Sequence, residues 1–138
     1  MGASPLIIKL DQEDCLTLLA QAHVGRVAVS IDALPAVRTV RFALAGGAIV
    51  FRVAPNSRLR RAVANAVVAF HADHYDEQAR HGWSVVVRGV GEEVNDADVV
   101  AQLRSLPLEA WADTPTGDCF MRIPMSMVSG ERVLWSLE

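Results

Sequence analysis

Between Val24 and Ile31 apolar and polar residues alternate, with Val27, Val29 and Ile31 set against Arg26, Ala28 and Ser30. That period of two predicts a strand with one buried face. Asp32 to Pro35 predicts a turn, and a second strand follows from Ala36 to about Leu44. Ala45-Gly46-Gly47 closes a hairpin onto a third strand, Ala48 to Val53, because paired residues of this kind accept the positive φ that tight hairpins need. Upstream the period changes. Leu16, Leu19 and Ala20 fall at helical spacing behind Asp11, with Asp14 three residues on, so Gln12 to Ala22 predicts a helix with Asp11 as its N-cap.

Ala54-Pro55-Asn56 breaks the third strand, and Asn56 or Ser57 caps a short helix through Asn65 with Leu59, Ala62, Val63 and Ala66 as its apolar stripe. Val67 to Asp73 predicts a fourth strand, and His74 to Gly82 is polar without a period and reads as a surface excursion. Trp83 to about Val94 predicts a long strand, with Gly89 and Gly91 marking a bulge or sharp bend. A helix from Asp96 to about Leu106 follows, capped by Asn95 or Asp96. Pro107 to Asp118 reads as a loop carrying Trp111, and two last strands, about Cys119 to Ile123 and Met127 to Trp135, flank Pro124.

The sum is about seven strands, mostly joined by hairpins, and three short helices, without the βαβ rhythm of a doubly wound sheet. The fold class is therefore mainly β (α+β): a small antiparallel barrel with peripheral helices, whose closure hides strand edges. The 138 residues suit a single domain, 1–138. Half of them are apolar (51%) while aromatics make up only 6%, so Ala, Val and Leu must fill most of the core.

No stretch approaches the ~20 uninterrupted apolar residues that span a bilayer, so no membrane partner is expected. The first residues lack a basic n-region and a long apolar run, and we expect a cytoplasmic protein. Cys15 and Cys119 lie far apart and without metal-type spacing, and both read as free thiols filling the core.

Charge changes the picture more. From Arg26 to Arg61 there are seven arginines and one acid, Asp32, a local charge of +6 in a chain whose net charge is −3. The overall balance speaks against nucleic-acid binding, whereas the cationic segment is where an anionic ligand is expected. Twelve of the thirteen basic residues are Arg, the side chain suited to planar, bidentate capture of phosphate or carboxylate. Arg38 and Arg41 lie on one predicted strand and Arg52 on the next, and Ser57 and Arg58 follow at a helix start. Backbone N–H groups, a hydroxyl and guanidinium groups together make a phosphate cradle. Each arginine alone fits a solvated barrel face equally well.

His71 and Asp73 share a strand face, but the spacing supplies no third metal ligand, and no metal site is expected. His81 beside Gly82 is a candidate substrate contact. No Ser-His-Asp or Cys-His arrangement stands out, and no catalytic side chain is assigned.

Pro35-x-x-Arg38-x-Val40, then Phe51 and Ser57-Arg58, resembles the flavin-phosphate signature of the pyridoxamine 5′-phosphate oxidases. Val24-Gly25-Arg26-Val27-Ala28, Ile49-Val50-Phe51-Arg52, Val68-Ala69-Phe70-x-x-Asp73 and Met121-Arg122-Ile123-Pro124 are similar to a compact actinobacterial-type branch of that family. So is Gly82-Trp83-Ser84-Val85-Val86-Val87-Arg88-Gly89, the most specific run. The resemblance spans roughly residues 10 to 134 and implies a homodimeric split β-barrel with FMN, or a deazaflavin coenzyme, at each subunit interface. It implies that Arg38, Ser57 and Arg58 hold the phosphate, and that Thr39, Val40 and Arg41 run beside the isoalloxazine and ribityl chain. Arg52 and Val53 would lie in the strand leading to the phosphate, Ser84 would reach the polar edge of the flavin, and Trp83 would lie near the cofactor or the interface. The implied activity is hydride or electron transfer to a small-molecule substrate.

The chain departs from the family pattern in several places. Thr39 and Arg41 stand where Pro and Asn are common, Val53 where Thr is, and Asn56-Ser57-Arg58 where Gly-Ser-Lys is. Arg41 offers charge to a second phosphate or an acidic coenzyme tail. Two other readings stay open: a non-catalytic ligand-binding or sensor barrel, and a haem- or tetrapyrrole-handling barrel in which His71, His74 and His81 converge. Oxidation of pyridoxamine phosphate itself is not expected, since the C-terminal substrate-phosphate residues of the true oxidases are not found.

Overall fold

The computed structural model describes residues 4–108 and 119–135; Trp111 lies outside them. The described chain forms ten strands and three helices, in two antiparallel sheets. The first sheet has six strands, in the order β1 (Leu6–Lys9), β10 (Met127–Leu134), β7 (His81–Val90), β6 (Val67–Asp76), β2 (Val24–Ile31) and β3 (Leu34–Arg41). The second runs β4 (Ala43–Ala45), β5 (Ala48–Arg52), β9 (Phe120–Pro124) and β8 (Glu92–Glu93). The two sheets are not closed into one continuous cylinder, and the architecture is a split barrel with α1 (Gln12–Gln21), α2 (Arg58–Val63) and α3 (Ala97–Leu103) at its periphery.

Local chemistry explains the elements. Asp11 caps α1 by accepting from the N–H of Asp14 at 2.8 Å, and Asp96 caps α3 through the N–H groups of Asp98 and Val99. Two hairpins turn on two residues of positive φ: Gly46 and Gly47 between β4 and β5, and Asp32 and Ala33 between β2 and β3.

Leu6 to Lys9, given no element in the sequence analysis, form a strand, β1, paired with β10. Three expectations need correction. The strand expected from Ala36 to Leu44 is two strands in different sheets, divided at Phe42, whose N–H donates to His23. His74 to Gly82 is no excursion: β6 runs to Asp76 and β7 starts at His81, in register throughout. Asp76 closes that hairpin by accepting from the N–H groups of Gln78 and Ala79, a local bond that hydropathy does not register. Trp83 to Val94 likewise divides into β7 and β8 at Gly91, where the chain passes between sheets. A side chain at Gly91 would overlap the carbonyl oxygen of Val63, so only glycine lets α2 and this crossing meet.

The core lies between the sheets. Val27, Phe70, Val85 and Val87 meet Ile49, Phe51, Met121 and Ile123, with Cys15 and Leu19 of α1 and Val63 of α2 closing the sides. Phe42 packs on Phe70 with ring centroids 4.6 Å apart and a 60° tilt, and Gly25 leaves the room that the Phe70 ring fills. Val50, Phe120, Leu103 and Leu108 form a smaller cluster under α3.

Candidate functional site

The expected site residues fall into three groups. Arg38 lies on β3, an edge strand of the larger sheet, opposite Val27 of β2. Directly paired residues share a face, so Arg38 projects to the side on which α2 packs. Ser57 caps α2, its Oγ accepting from the N–H of Arg60 at 3.1 Å. Its O–H proton is left to donate outward. Arg58 opens the helix and reaches Asp32, in the β2–β3 turn, at 3.7 Å, with both side chains more than two-thirds exposed. Arg38, Ser57 and Arg58 thus lie on one side of the larger sheet, with Arg38 and Arg58 exposed.

The other arginines of the cationic segment are drawn elsewhere. Arg60 clasps Glu93 with two donors and also donates to Pro55 at 2.6 Å. The paired Arg60 guanidinium holds the Glu93 carboxyl below the usual carboxylate range, against the opposing effect of burial. The guanidinium of Arg52 lies over the Phe120 ring, 4.8 Å from its centroid, on the side of the smaller sheet covered by α3. Val40 and Val53 are 5% and 4% exposed and belong to the core, so a ligand could meet them only through their backbone.

The second group lies on the outer face of the six-stranded sheet. Thr39 pairs with Arg26, and Arg26 with His71; Arg41 pairs with Val24 on the same face. Arg26 donates to Asp73 at 3.0 Å, and His71 Nε2 lies 3.0 Å from the Ser84 Oγ. Ser84 also lines a concavity of about 450 Å3 with Val86, Ser129 and Glu131. The third group is Trp83, packed on the edge of the core beside His23 and His74 in a concavity of about 460 Å3.

Sequence reasoning weighed His71 and Asp73 only as metal or haem candidates and gave Arg26 no role, although His71 and Asp73 do share the face that alternation predicts. The signal for this network is a run of polar residues at every second position of β2 and β6, and it acquires meaning only once the register aligns the strands. His71 and His74, three residues apart on β6, project to opposite faces of the sheet. The three-histidine convergence that a haem site would need does not form.

The model of the pyridoxamine 5′-phosphate oxidase family matches residues 11–132. The chain belongs to that family. The uncharacterized protein Rv0080 of Mycobacterium tuberculosis is 35% identical over 133 residues, covering 93% of this chain and 86% of its own. The FAD binding protein from Mycobacterium smegmatis has the same fold at a TM-score of 0.77, with 28% identity over 92% of this chain and 98% of that one. A FAD-binding protein from Mesorhizobium loti gives 0.73 and 25%, over 94% and 98%. No described helix is long and apolar enough to cross a membrane.

Proposed function

We propose that this chain binds a flavin nucleotide and works with it as a small oxidoreductase. The observation that carries the reading is the edge cradle: the Ser57 hydroxyl, committed through its oxygen to the helix cap, keeps a proton to donate, the exposed Arg58 follows it in the chain, and the exposed Arg38 lies on the same side of the sheet. These groups fit an anionic phosphate in donor type and in sign. A bound flavin supplies hydride or electron transfer through its ring.

The chain's own residues bind and orient. Arg38 and Arg58 neutralise the phosphate, while Arg41, exposed on the outer face, adds charge suited to a second anionic group. That second charge, and the FAD-binding proteins from Mycobacterium smegmatis and Mesorhizobium loti, favour the dinucleotide over FMN or a deazaflavin coenzyme. Ser84 offers a hydroxyl to the polar ring edge.

The geometry also supports a homodimer. Arg38 and Ser84 lie on opposite faces of one sheet, three strands apart, so one flavin cannot touch both within a single chain. A second copy packed on the outer face brings the cradle of one protomer toward Ser84 of its partner. Exposed Val37, Val67, Val90 and Met127, between 47% and 78% accessible, give that outer face apolar area to bury.

The test is an ultraviolet–visible spectrum of the purified protein, then fluorescence titration with FAD, FMN and a deazaflavin coenzyme, with the assembly measured by light scattering. Tight binding of one flavin, weakened by Arg38→Ala, is the expected result. Binding of none by the wild type would overturn the oxidoreductase reading and leave a barrel turned to another ligand.

A further inference from the structure

We infer that His71 is a positioning residue: it orients the Ser84 hydroxyl toward the outer concavity that Ser84 lines. The inference rests on the reading that Ser84 meets the flavin. A serine hydroxyl rotates freely and can donate one hydrogen bond and accept others, so by itself it presents no fixed polarity to a ligand. His71 Nε2, 3.0 Å from Ser84 Oγ, removes that freedom.

The imidazole is itself held in place. His71 is half-buried and lies directly between Arg26 of β2 and Val86 of β7. The Arg26 guanidinium is turned aside by its 3.0 Å bond to Asp73. Asp73 stands opposite Ser84 on the neighbouring strand, so the ion pair and the imidazole–hydroxyl pair lie side by side. A neutral imidazole has one donor and one acceptor nitrogen, and whichever it turns to Ser84 leaves the hydroxyl the complementary role. Where the imidazole accepts, Ser84 offers the concavity only lone pairs; where it donates, the Ser84 proton is left to point into the concavity. Val86, two residues along the same strand, and Ser129, opposite Val86 on β10, add apolar contact and a second hydroxyl to the concavity, and Glu131 stands opposite Ser84.

The experiment is a double-mutant cycle read by FAD titration on the full chain, with His71→Ala, Ser84→Ala, both together, and His71→Gln. If the two side chains act as one unit, each single change weakens binding about fivefold, the worth of an ordinary hydrogen bond, and the double change weakens it no further. His71→Gln, which still reaches Ser84 with an amide, regains most of the loss. Melting temperatures without flavin stay close together, which a purely structural role for His71 would not allow. Losses that multiply to about 25-fold in the double variant, or a His71→Ala protein that binds as the wild type does, would overturn the inference. Equal binding by wild type and Ser84→Ala would remove the inference and leave flavin binding standing. A wild type that binds no flavin would remove both.

Discussion

Arg60 on α2 grips the Glu93 carboxylate on β8 with both forks of its guanidinium, and the Cys119 thiol leans on the same carboxylate at 3.6 Å. The pair ties the cradle helix to the strand that leaves the larger sheet at Gly91. An arginine from the most cationic part of the chain is thereby made a structural clasp.

This clasp predicts a pH dependence of stability. Glu93 has its carboxyl held down by Arg60, so the contribution is complete above the unfolded glutamate pKa, about 4.3. It is lost as pH falls through the lower folded value. Asp76, held down by the Ala79 and Gln78 N–H groups, acts in the same direction. Thermal melts from pH 7 to pH 3 should show a fall on the acid side, and Glu93→Gln should flatten part of it while lowering the melting temperature at pH 7.

Two glycines should respond differently to alanine. At Gly91 the new methyl meets the Val63 backbone, which cannot step aside, and the cost should reach the upper part of the about 1–3 kcal/mol range for overpacking. At Gly46 nothing lies within 4 Å and the obstacle is a φ of +59°, so Gly46→Ala should cost about 1 kcal/mol, with Gly46→Asn tolerated better. Denaturant midpoints of the three variants would decide the ranking.

Ser57 and Arg58 should separate stability from ligand binding. Ser57→Ala removes the α2 cap and should cost about 1 kcal/mol, as well as weakening flavin binding. Arg58→Ala touches only an exposed ion pair with Asp32, so its melting temperature should stay near that of the wild type. Its flavin affinity should fall about tenfold, the worth of a charge-assisted bond, and less at high salt. Paired melting and titration curves measure both effects.

Both described thiols should be slow to react in the folded protein. Burial pushes the Cys15 thiol up, with the Asp11 and Asp14 charges adding to it. Burial also raises Cys119, with Glu93 adding to the rise against the pull of Arg60. A thiol reagent at pH 7–8 should label the native protein slowly and modify both cysteines promptly once denaturant is added.

Much of this was legible beforehand, and the reason lies in locality. The alternation of Val24 to Ile31 names a strand and its buried face without knowledge of any neighbour. Asp11 and Asp96 announce their helices because caps act within three residues. The extended resemblance identifies a pyridoxamine 5′-phosphate oxidase relative because it runs over nearly the whole chain. Arg38, Ser57 and Arg58 could be proposed in advance as a phosphate cradle, since they sit within about twenty residues of each other in the sequence.

The rest depends on pairing between distant segments, which no local window contains. Hydropathy cannot show that Phe42 and Gly91 carry the chain from one sheet to the other: Phe42 looks like strand interior, and Gly91 announces a bend without saying where the chain goes next. Nor can it divide seven arginines between structure and ligand, since that depends on whether Glu93, Asp73 or Phe120 arrives within reach. Sequence by itself determined most of the strand segments, the Asp11 cap, the buried face of Val24 to Ile31 and the family. Only the tertiary structure decided which charges neutralise each other and which face solvent, because a guanidinium's partner is set by strand register across dozens of residues, where a shift of one position sends the side chain to the other face.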